Sequence, residues 1–270
     1  MLKSGRAASL LLVLVAGLVS GTGRLAMAQS FDDVSKVISV TPVAGWRAGP
    51  DRHIAGLRIA LAPGWKTYWR SGGSAGIAPR MRWDGSVNVM AVAPAWPAPG
   101  LFRQGGDLSI GYDADFTVPL VIETGAGAAR LRGTLDLGVC ADVCLPAQVS
   151  VETDLPPGGA EDAELVAALA AGPRLSSRRA DCVTRPTPDG TALIGAFDLP
   201  GLGGSEAVVF ELPDPALWVT DAVVSRSGDR VTAASEVMAS GGAAVALDTA
   251  RVRITVIGAR GAVELAGCAP

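Results

Sequence analysis

Histidine is nearly absent from this sequence, in which His53 is the only one among 270 residues. A Ser-His-Asp triad depends on a histidine base, and a lone histidine without supporting motifs does not indicate one. Zinc sites take three or four protein ligands, and no second histidine supports His53 in such a set. We therefore expect no metal and no other cofactor, and we interpret His53 as an exposed residue at the start of a strand.

An excess of basic residues is also lacking, since 23 Lys and Arg stand against 26 Asp and Glu. Nucleic acids and anionic membrane surfaces select proteins with basic patches, so we expect neither as a partner. The glycine-rich segment GGSAGIAP lacks the Lys-Ser/Thr ending of a phosphate-binding loop. These absences exclude several common classes of enzyme and binding protein.

After the first 28 residues, no stretch approaches the roughly 18 uninterrupted apolar residues of a membrane-spanning helix. At the N-terminus, Lys3 and Arg6 precede the apolar run AASLLLVLVAGLV, and the small residues of AMA follow, ending at Ala28. This order is typical of a cleavable export signal. We predict a signal peptide over residues 1–28 and a periplasmic mature protein, with an uncleaved anchor helix as the alternative. Disulfides persist in that compartment.

Alternating apolar and polar residues predict β-strands in the first half of the mature chain. The clearest examples are LRIAL (57–61) and FTVPLVI (116–122), in which every second residue is apolar. Proline and glycine clusters interrupt the strands at short intervals. Frequent turns between short strands favour a β-sandwich over a helical or βαβ fold. We predict an all-β protein whose first domain covers residues 29–156.

A linker and a second β-domain are predicted to follow. LPPGG precedes the segment AEDAELVAALAAGP, which predicts one short connecting helix within a linker over residues 157–176. Strand patterns then return in TALIGAFDL, EAVVFEL, RVRITVIG and AVELAGC. We assign residues 177–270 to a second, smaller β-domain.

Four cysteines allow three disulfide pairings. The most economical keeps each pair within one predicted domain, as Cys140–Cys144 and Cys182–Cys268. A bond between Cys182 and Cys268 closes a long loop, which the loop-entropy model values at roughly 4–5 kcal/mol. We expect that bond to be structural. A bond between Cys140 and Cys144 closes a short loop and stabilises much less.

The alternation of the strand before Cys140 predicts where its side chain points. In LRGTLDLGVC the apolar residues occupy odd positions, whereas Cys140 shares even parity with residues that face away from the core. Cys144 has the same parity. We therefore expect both sulfurs to face solvent or a covering loop. A redox pair, a plain structural disulfide and a soft-metal site, for example for Cu(I), remain alternatives at this point.

Three motifs in order resemble one known family: PGWKTYWRSGGSAGIAPRMRW (63–83), WPAPGLF…IGYDADFTVPL (96–120) and GVCADVCLPA (138–147). They resemble the periplasmic N-terminal domain of the thiol:disulfide interchange protein DsbD, and more closely its ScsB-type relatives associated with copper tolerance. The resemblance covers roughly residues 36–156. It implies an immunoglobulin-like sandwich whose cysteine pair takes electrons from a membrane-embedded donor and passes them to periplasmic thioredoxin-like or disulfide-bearing clients.

The resemblance also implies roles for individual residues. Cys140 and Cys144 match the catalytic redox pair, with Cys144 favoured as the residue that forms the mixed disulfide. A cap loop that shields the pair maps to Leu101–Gly106, with Phe102 as the covering aromatic. Tyr68 matches a tyrosine that flanks the pair.

This chain departs from the family pattern near the same site. Three residues separate its two cysteines, where the best-known members have five. Arg103 and Gln104 replace acidic residues of the cap, and Lys66 stands where a second tyrosine often occurs. The membrane conduit and thioredoxin-like domain of full-length DsbD have no counterpart here, so we expect separate polypeptides to supply them.

Two classes of function follow from the sequence. The one we favour is a thiol:disulfide oxidoreductase module that works through Cys140 and Cys144. The alternative is a non-catalytic envelope binding protein, linked to copper, whose cysteines are structural or hold a metal.

Overall fold

Strands dominate the computed structural model, which describes residues 31–104 and 106–269, without the side chains of residues 31–33 and 104. The predicted signal peptide lies outside the described residues. A short 3-10 helix, Phe31–Lys36, precedes the strands of the first half. These strands are β1 (Ile38–Arg47), β2 (Arg52–Leu61), β3 (Lys66–Tyr68), β4 (Arg80–Arg82), β5 (Val89–Pro94), β6 (Gly100–Gln104), β7 (Asp107–Tyr112), β8 (Phe116–Thr124), β9 (Ala129–Cys140) and β10 (Cys144–Leu155).

These ten strands form two sheets of an immunoglobulin-like sandwich. One sheet has the order β1-β2-β8-β5, and the other has the order β10-β9-β3-β7-β6, with β4 also paired to β9. All of their pairings are antiparallel. Apolar side chains from both sheets belong to one buried cluster, so the core lies between the sheets.

The predicted alternation is confirmed in the strands that build this core. Leu57 and Ile59 in β2 are fully buried, whereas Arg58 between them is exposed. The apolar residues of LRGTLDLGVC likewise point inward, since Leu131 and Leu135 in β9 are almost inaccessible to solvent. Period-two patterns arise because successive strand side chains point to opposite faces of the sheet.

The connecting helix is shorter than the sequence predicts. It covers α1 (Ala163–Ala170) because the side chain of Asp162 accepts a hydrogen bond from the Leu165 N–H (3.0 Å) and so fixes its first turn. Leu165 is fully buried against Trp46 and Ile54 on the outer side of the first sheet. The helix is therefore packed against the sandwich.

The second half of the chain forms two further sheets, including the strands that its four apolar segments predict. The strands are β11 (Arg174–Ser176), β12 (Asp181–Pro186), β13 (Thr191–Asp198), β14 (Ala207–Glu211), β15 (Trp218–Val219), β16 (Val223–Ser227), β17 (Arg230–Met238), β18 (Arg253–Gly258) and β19 (Gly261–Leu265). The strand orders are β11-β19-β18-β14 and β12-β13-β17-β15, with β16 also paired to β17. β11 and β19 pair in parallel, and an isolated parallel bridge joins Ala180 and Cys268.

The two halves belong to one compact unit, residues 31–270. The buried cluster of the sandwich continues into the second half of the chain, where it includes Ala207, Val209, Ile257 and Ala262. The division into separate domains at residues 156 and 177 therefore stays a prediction. No helix within the described ranges is long and apolar enough to cross a membrane.

The expectation that His53 is exposed is wrong. His53 is the second residue of β2 and is 1% exposed, and its Nε2 lies 2.6 Å from the carbonyl oxygen of Ala44. Burial, partly offset by that hydrogen bond, lowers the pKa of His53, so the neutral imidazole is favoured. A polar residue next to a turn was expected to be solvated, but the pairing of β2 with both β1 and β8 encloses it.

Candidate functional site

The β9–β10 hairpin brings two of the predicted site residues together. Cys140 ends β9 and Cys144 begins β10, so the two lie directly opposite each other with their Cα atoms 4.1 Å apart. In the three-residue loop between them, the Ala141 N–H donates to the carbonyl oxygen of Val143 (3.0 Å). Directly opposed residues project from the same face of a sheet, and here the two sulfurs form a disulfide.

The two cysteines of this disulfide differ in exposure. Cys140 is only 3% exposed, whereas Cys144 is exposed. Cys140 lies on the outward face, as alternation predicts, but β3 lies beside β9 at this end, and Ile77 covers the neighbouring Gly138. A β-carbon at Gly138 would lie only 2.7 Å from the Ile77 Cβ. A reactant from solvent can therefore approach Cys144 but not Cys140.

Tyr68 lies against the exposed sulfur of the disulfide that it was predicted to flank. Its hydroxyl is 3.9 Å from the Cys144 Sγ, and its side chain is almost fully buried. The backbone of Gly76 packs so closely on the ring that a β-carbon there would lie 2.7 Å from it. Burial raises the pKa of Tyr68, so the hydroxyl stays protonated and can donate to a sulfur.

Lys66 and Phe102 lie at the covered side of the disulfide. Lys66 is directly opposite Cys140 in the pairing of β3 with β9. Its Nζ lies 5.2 Å from the ring centroid of Phe102, a cation–π contact. Gly100 accommodates that ring, because a β-carbon there would lie 3.3 Å from it. Phe102 therefore contacts Lys66, and Lys66 lies directly opposite Cys140.

The predicted cap, Leu101–Gly106, forms the end of β6 and the turn into β7, apart from residue 105, which is not described. Arg103 is exposed and, by alternation, projects from the opposite face to Phe102. Asp142 is exposed in the loop between the two cysteines. Lys66 is therefore a cationic side chain on the same face as the disulfide, directly opposite Cys140.

The second disulfide joins Cys182 and Cys268, whose Cα atoms are 5.6 Å apart. Cys268 is 1% exposed and belongs to the core of the second half, and Cys182 packs against that core. This bond joins β12, which contains Cys182, to the segment that follows β19, across 86 sequence positions. Neither of these cysteines is exposed, whereas Cys144 is.

Within the described ranges, no three His, Cys, Asp or Glu side chains group into a set that could hold a metal ion. His53 lies on the other sheet from the Cys140–Cys144 bond, in β2. The disulfide at the hairpin can exchange with a thiol at its exposed sulfur.

Two residues near the site were not recognised from the sequence as parts of it. Lys66 was noted only as a departure from the family pattern, although its parity with Tyr68 in KTY indicates that both share one face. Ile77 lies in a glycine-rich loop without a periodic pattern, so nothing in the sequence indicates that it covers Gly138. It is 50% exposed and gives the surface beside the disulfide an apolar character.

Comparison with known proteins gives a family and a fold. Residues 36–156 match the family described as thiol:disulfide interchange protein DsbD, N-terminal. The crystal structure of the N-terminal periplasmic domain of ScsB from Proteus mirabilis is similar, with a TM-score of 0.62 and 23% sequence identity. The alignment covers 84% of this chain and 90% of that chain, so the similarity of fold extends beyond the matched family region. No curated protein sequence matches this chain. Residues 36–156 of this chain belong to the DsbD N-terminal family.

Proposed function

We propose that this chain is a periplasmic thiol–disulfide exchange module that passes electrons from a membrane reductase to disulfides of envelope proteins through Cys140 and Cys144. The observation that carries the proposal is the unequal exposure of the two cysteines. Cys144 is open to solvent, whereas its bonded partner Cys140 is 3% exposed. An exchange site needs one sulfur that a partner can reach and one that resolves the mixed disulfide.

The proposed reaction begins with the reduced pair. The Cys144 thiolate attacks one sulfur of a client disulfide, and the other client sulfur leaves as a thiolate and takes up a proton. Cys140 then loses its proton and attacks the Cys144 Sγ, which releases the second client sulfur as a thiol. Two electrons and two protons have then passed to the client, and the Cys140–Cys144 bond is restored.

Neighbouring side chains support this order of events. The Tyr68 hydroxyl, 3.9 Å from the Cys144 Sγ, can donate a hydrogen bond to the thiolate before attack. Ile77 and Val143, each about half exposed, provide an apolar border against which a client can exclude water. Phe102, in contact with Lys66, acts as the cap of the pair at rest.

The proposed module works in the periplasm with two kinds of partner. The predicted export signal and the fold shared with a periplasmic domain of ScsB support a periplasmic location. A membrane-embedded thiol protein would return electrons to the oxidised pair, and the clients would be thioredoxin-like or disulfide-bearing proteins. The Cys182–Cys268 bond, in which Cys268 is buried and Cys182 is partly buried, would remain oxidised throughout.

Thiol trapping of the purified protein across glutathione redox buffers tests the proposal. One pair should cycle between dithiol and disulfide, and peptide mapping should identify it as Cys140–Cys144. The Cys182–Cys268 bond should stay intact. If neither pair cycles, or if copper protects the thiols of the first pair, the chain is a binding protein and not an exchange module.

Single cysteine variants then separate the two roles. Cys144→Ala should abolish exchange with a model disulfide, whereas Cys140→Ala should still attack and accumulate a mixed disulfide. Ser150→Ala is a matched control, because Ser150 is exposed on the same face of β10, six residues from Cys144. Exchange at the normal rate by Cys144→Ala would show that the role of Cys144 is wrong.

A further inference from the structure

Lys66 occupies a position from which its charge can act on one particular sulfur. It pairs directly with Cys140 across β3 and β9, so the two side chains project from the same face with their β-carbons about 4.5–5.5 Å apart. Cys144 pairs with Cys140 from the other side. Lys66, Cys140 and Cys144 therefore form a row across three neighbouring strands. A lysine side chain is long enough to place its ammonium beside either neighbour in this row.

The charge of Lys66 is not neutralised by a carboxylate. Among the side chains that the structure describes, none of the ion pairs includes Lys66, and its contact is with the ring of Phe102 at 5.2 Å. Its side chain is half-buried. A contact with an aromatic ring is weaker than an ion pair of comparable burial, so the ammonium is available to a nearby anion.

Cys140 is the residue that needs such a cation. Its side chain is almost fully buried, and burial opposes ionisation of a thiol. The other charged or titratable groups near it do not supply one. On the same face of β9, four positions from Cys140, Asp136 is anionic and pairs with Arg82 at 2.6 Å. Tyr68 faces Cys144 as a neutral hydroxyl, Asp142 is anionic in the exposed loop, and Arg103 projects from the opposite face of β6.

We propose that Lys66 is a positioning residue of the redox pair, whose ammonium stabilises the Cys140 thiolate that resolves the mixed disulfide. This inference rests on the proposed exchange function and assigns a residue to its second step. In that step Cys140 loses its proton to solvent, the thiolate forms beside the Lys66 ammonium, and it attacks the Cys144 Sγ. The client sulfur leaves as a thiolate and takes up a proton.

The ionisation of Cys140 can be measured alone in a Cys144→Ser variant. The ultraviolet absorbance of the thiolate is followed against pH, while the Cys182–Cys268 disulfide does not titrate. Burial raises the pKa values of both Tyr68 and Tyr112, so their ionisation does not overlap the absorbance change of the thiol at lower pH. Adding Lys66→Met should move the Cys140 titration upward by about one pH unit, a roughly tenfold smaller thiolate fraction at neutral pH.

Charge and packing are separated by two further variants in the same background. Lys66→Arg keeps the charge and should restore most of the original titration, whereas Lys66→Gln should behave like Lys66→Met. Circular dichroism checks that each variant is folded. If Lys66→Met and Lys66→Gln titrate like the Lys66 protein, or if Lys66→Arg shifts as far as they do, the inference is wrong.

The titration also distinguishes this inference from the proposed function. It reads the ionisation of a single thiol and needs neither a client nor a membrane reductase. A protein that cycles in glutathione buffers but shows no effect of Lys66 retains the exchange function and loses the role of Lys66. A protein that shows the Lys66 effect but exchanges with no disulfide retains the electrostatic contact and loses the function.

Discussion

At the scale of single residues, burial decides which protonation state the folded protein accepts. His53 donates through Nε2 to the Ala44 carbonyl oxygen, and its Nδ1 is buried without a partner among the described atoms. A proton on Nδ1 would place an unpaired donor and a positive charge inside the sheet, close to Arg47. Burial, and secondarily the charge of Arg47, therefore lower the pKa of His53, while the hydrogen bond to Ala44 opposes the shift.

This shift predicts a loss of stability in mild acid. The unfolded chain binds a proton at His53 with a pKa of about 6.5, whereas the folded protein resists it. The contribution of His53 to stability is therefore complete above pH 6.5 or so and declines as the pH falls toward the folded pKa, by at most about 1.4 kcal/mol per pH unit.

His53→Gln keeps an N–H donor for Ala44 but does not titrate. Its free energy of unfolding, measured by urea titration between pH 7 and pH 5, should therefore fall less steeply than that of the original protein. Parallel curves for the two proteins over that range would show that His53 does not couple protonation to folding.

At the scale of elements, we propose that the β6–β7 hairpin limits access to the covered side of the disulfide. Phe102 lies on this hairpin and contacts Lys66, so removing its ring should open that side to small reagents. We predict that Phe102→Ala is reduced by glutathione about threefold faster or more, because access limits thiol exchange. Arg103→Ala is the matched control, since Arg103 is exposed on the opposite face. Equal rates for Phe102→Ala and the original protein would contradict the role of a cap.

Helix α1 supports a second prediction at this scale. An eight-residue helix is not stable alone in water, so packing must hold α1 in place. Leu165 supplies that packing, and Gly56 leaves the room for it, because a β-carbon there would collide with the Leu165 side chain. Leu165→Ala should lower the free energy of unfolding by about 2–4 kcal/mol. Val166→Ala, on the exposed side of the helix, should change it by less than about 0.5 kcal/mol.

Individual strands were easier to predict from the sequence than the residues from other parts of the chain that pack against them. The strands carrying Leu57 and Leu131 follow from alternation, because that signal is local to each strand. The packing of Ile77 on Gly138, beside Cys140, does not, since Ile77 lies more than sixty positions earlier in the chain. The burial of His53 was missed for the same reason: its two neighbouring strands enclose a residue that local sequence places beside a turn. The site residues were predicted mainly from the family resemblance.

At the scale of the whole molecule, one arginine ties the two halves of the chain together. Arg70 follows β3, and its guanidinium lies 2.9 Å from Glu211 in β14 and 2.8 Å from Glu264 in β19. It also stacks on the buried ring of Trp69, 4.1 Å from the ring centroid. These ion pairs join residues 141 and 194 positions apart, so no local sequence pattern indicates them.

Removing Arg70 should destabilise the protein by leaving two largely buried carboxylates without their main partner. Both glutamates are only about one-fifth exposed, so solvent would replace the lost interaction poorly. We predict that Arg70→Met lowers the free energy of unfolding by about 2–4 kcal/mol in urea. Arg82→Met should cost no more than about 1 kcal/mol, because its ion pair with Asp136 is much more exposed.

The decisive comparison adds Glu211→Gln and Glu264→Gln to Arg70→Met. These substitutions remove the charge of Glu211, which Arg70→Met leaves unpaired, and that of Glu264, which then keeps only the exposed Arg253 at 3.5 Å. The triple variant should therefore recover part of the lost stability. Recovery would assign the cost to unpaired buried charge at the junction of the two halves. A triple variant that is less stable than Arg70→Met alone would show that the glutamates stabilise the junction without Arg70, and that the arginine acts mainly through its packing on Trp69.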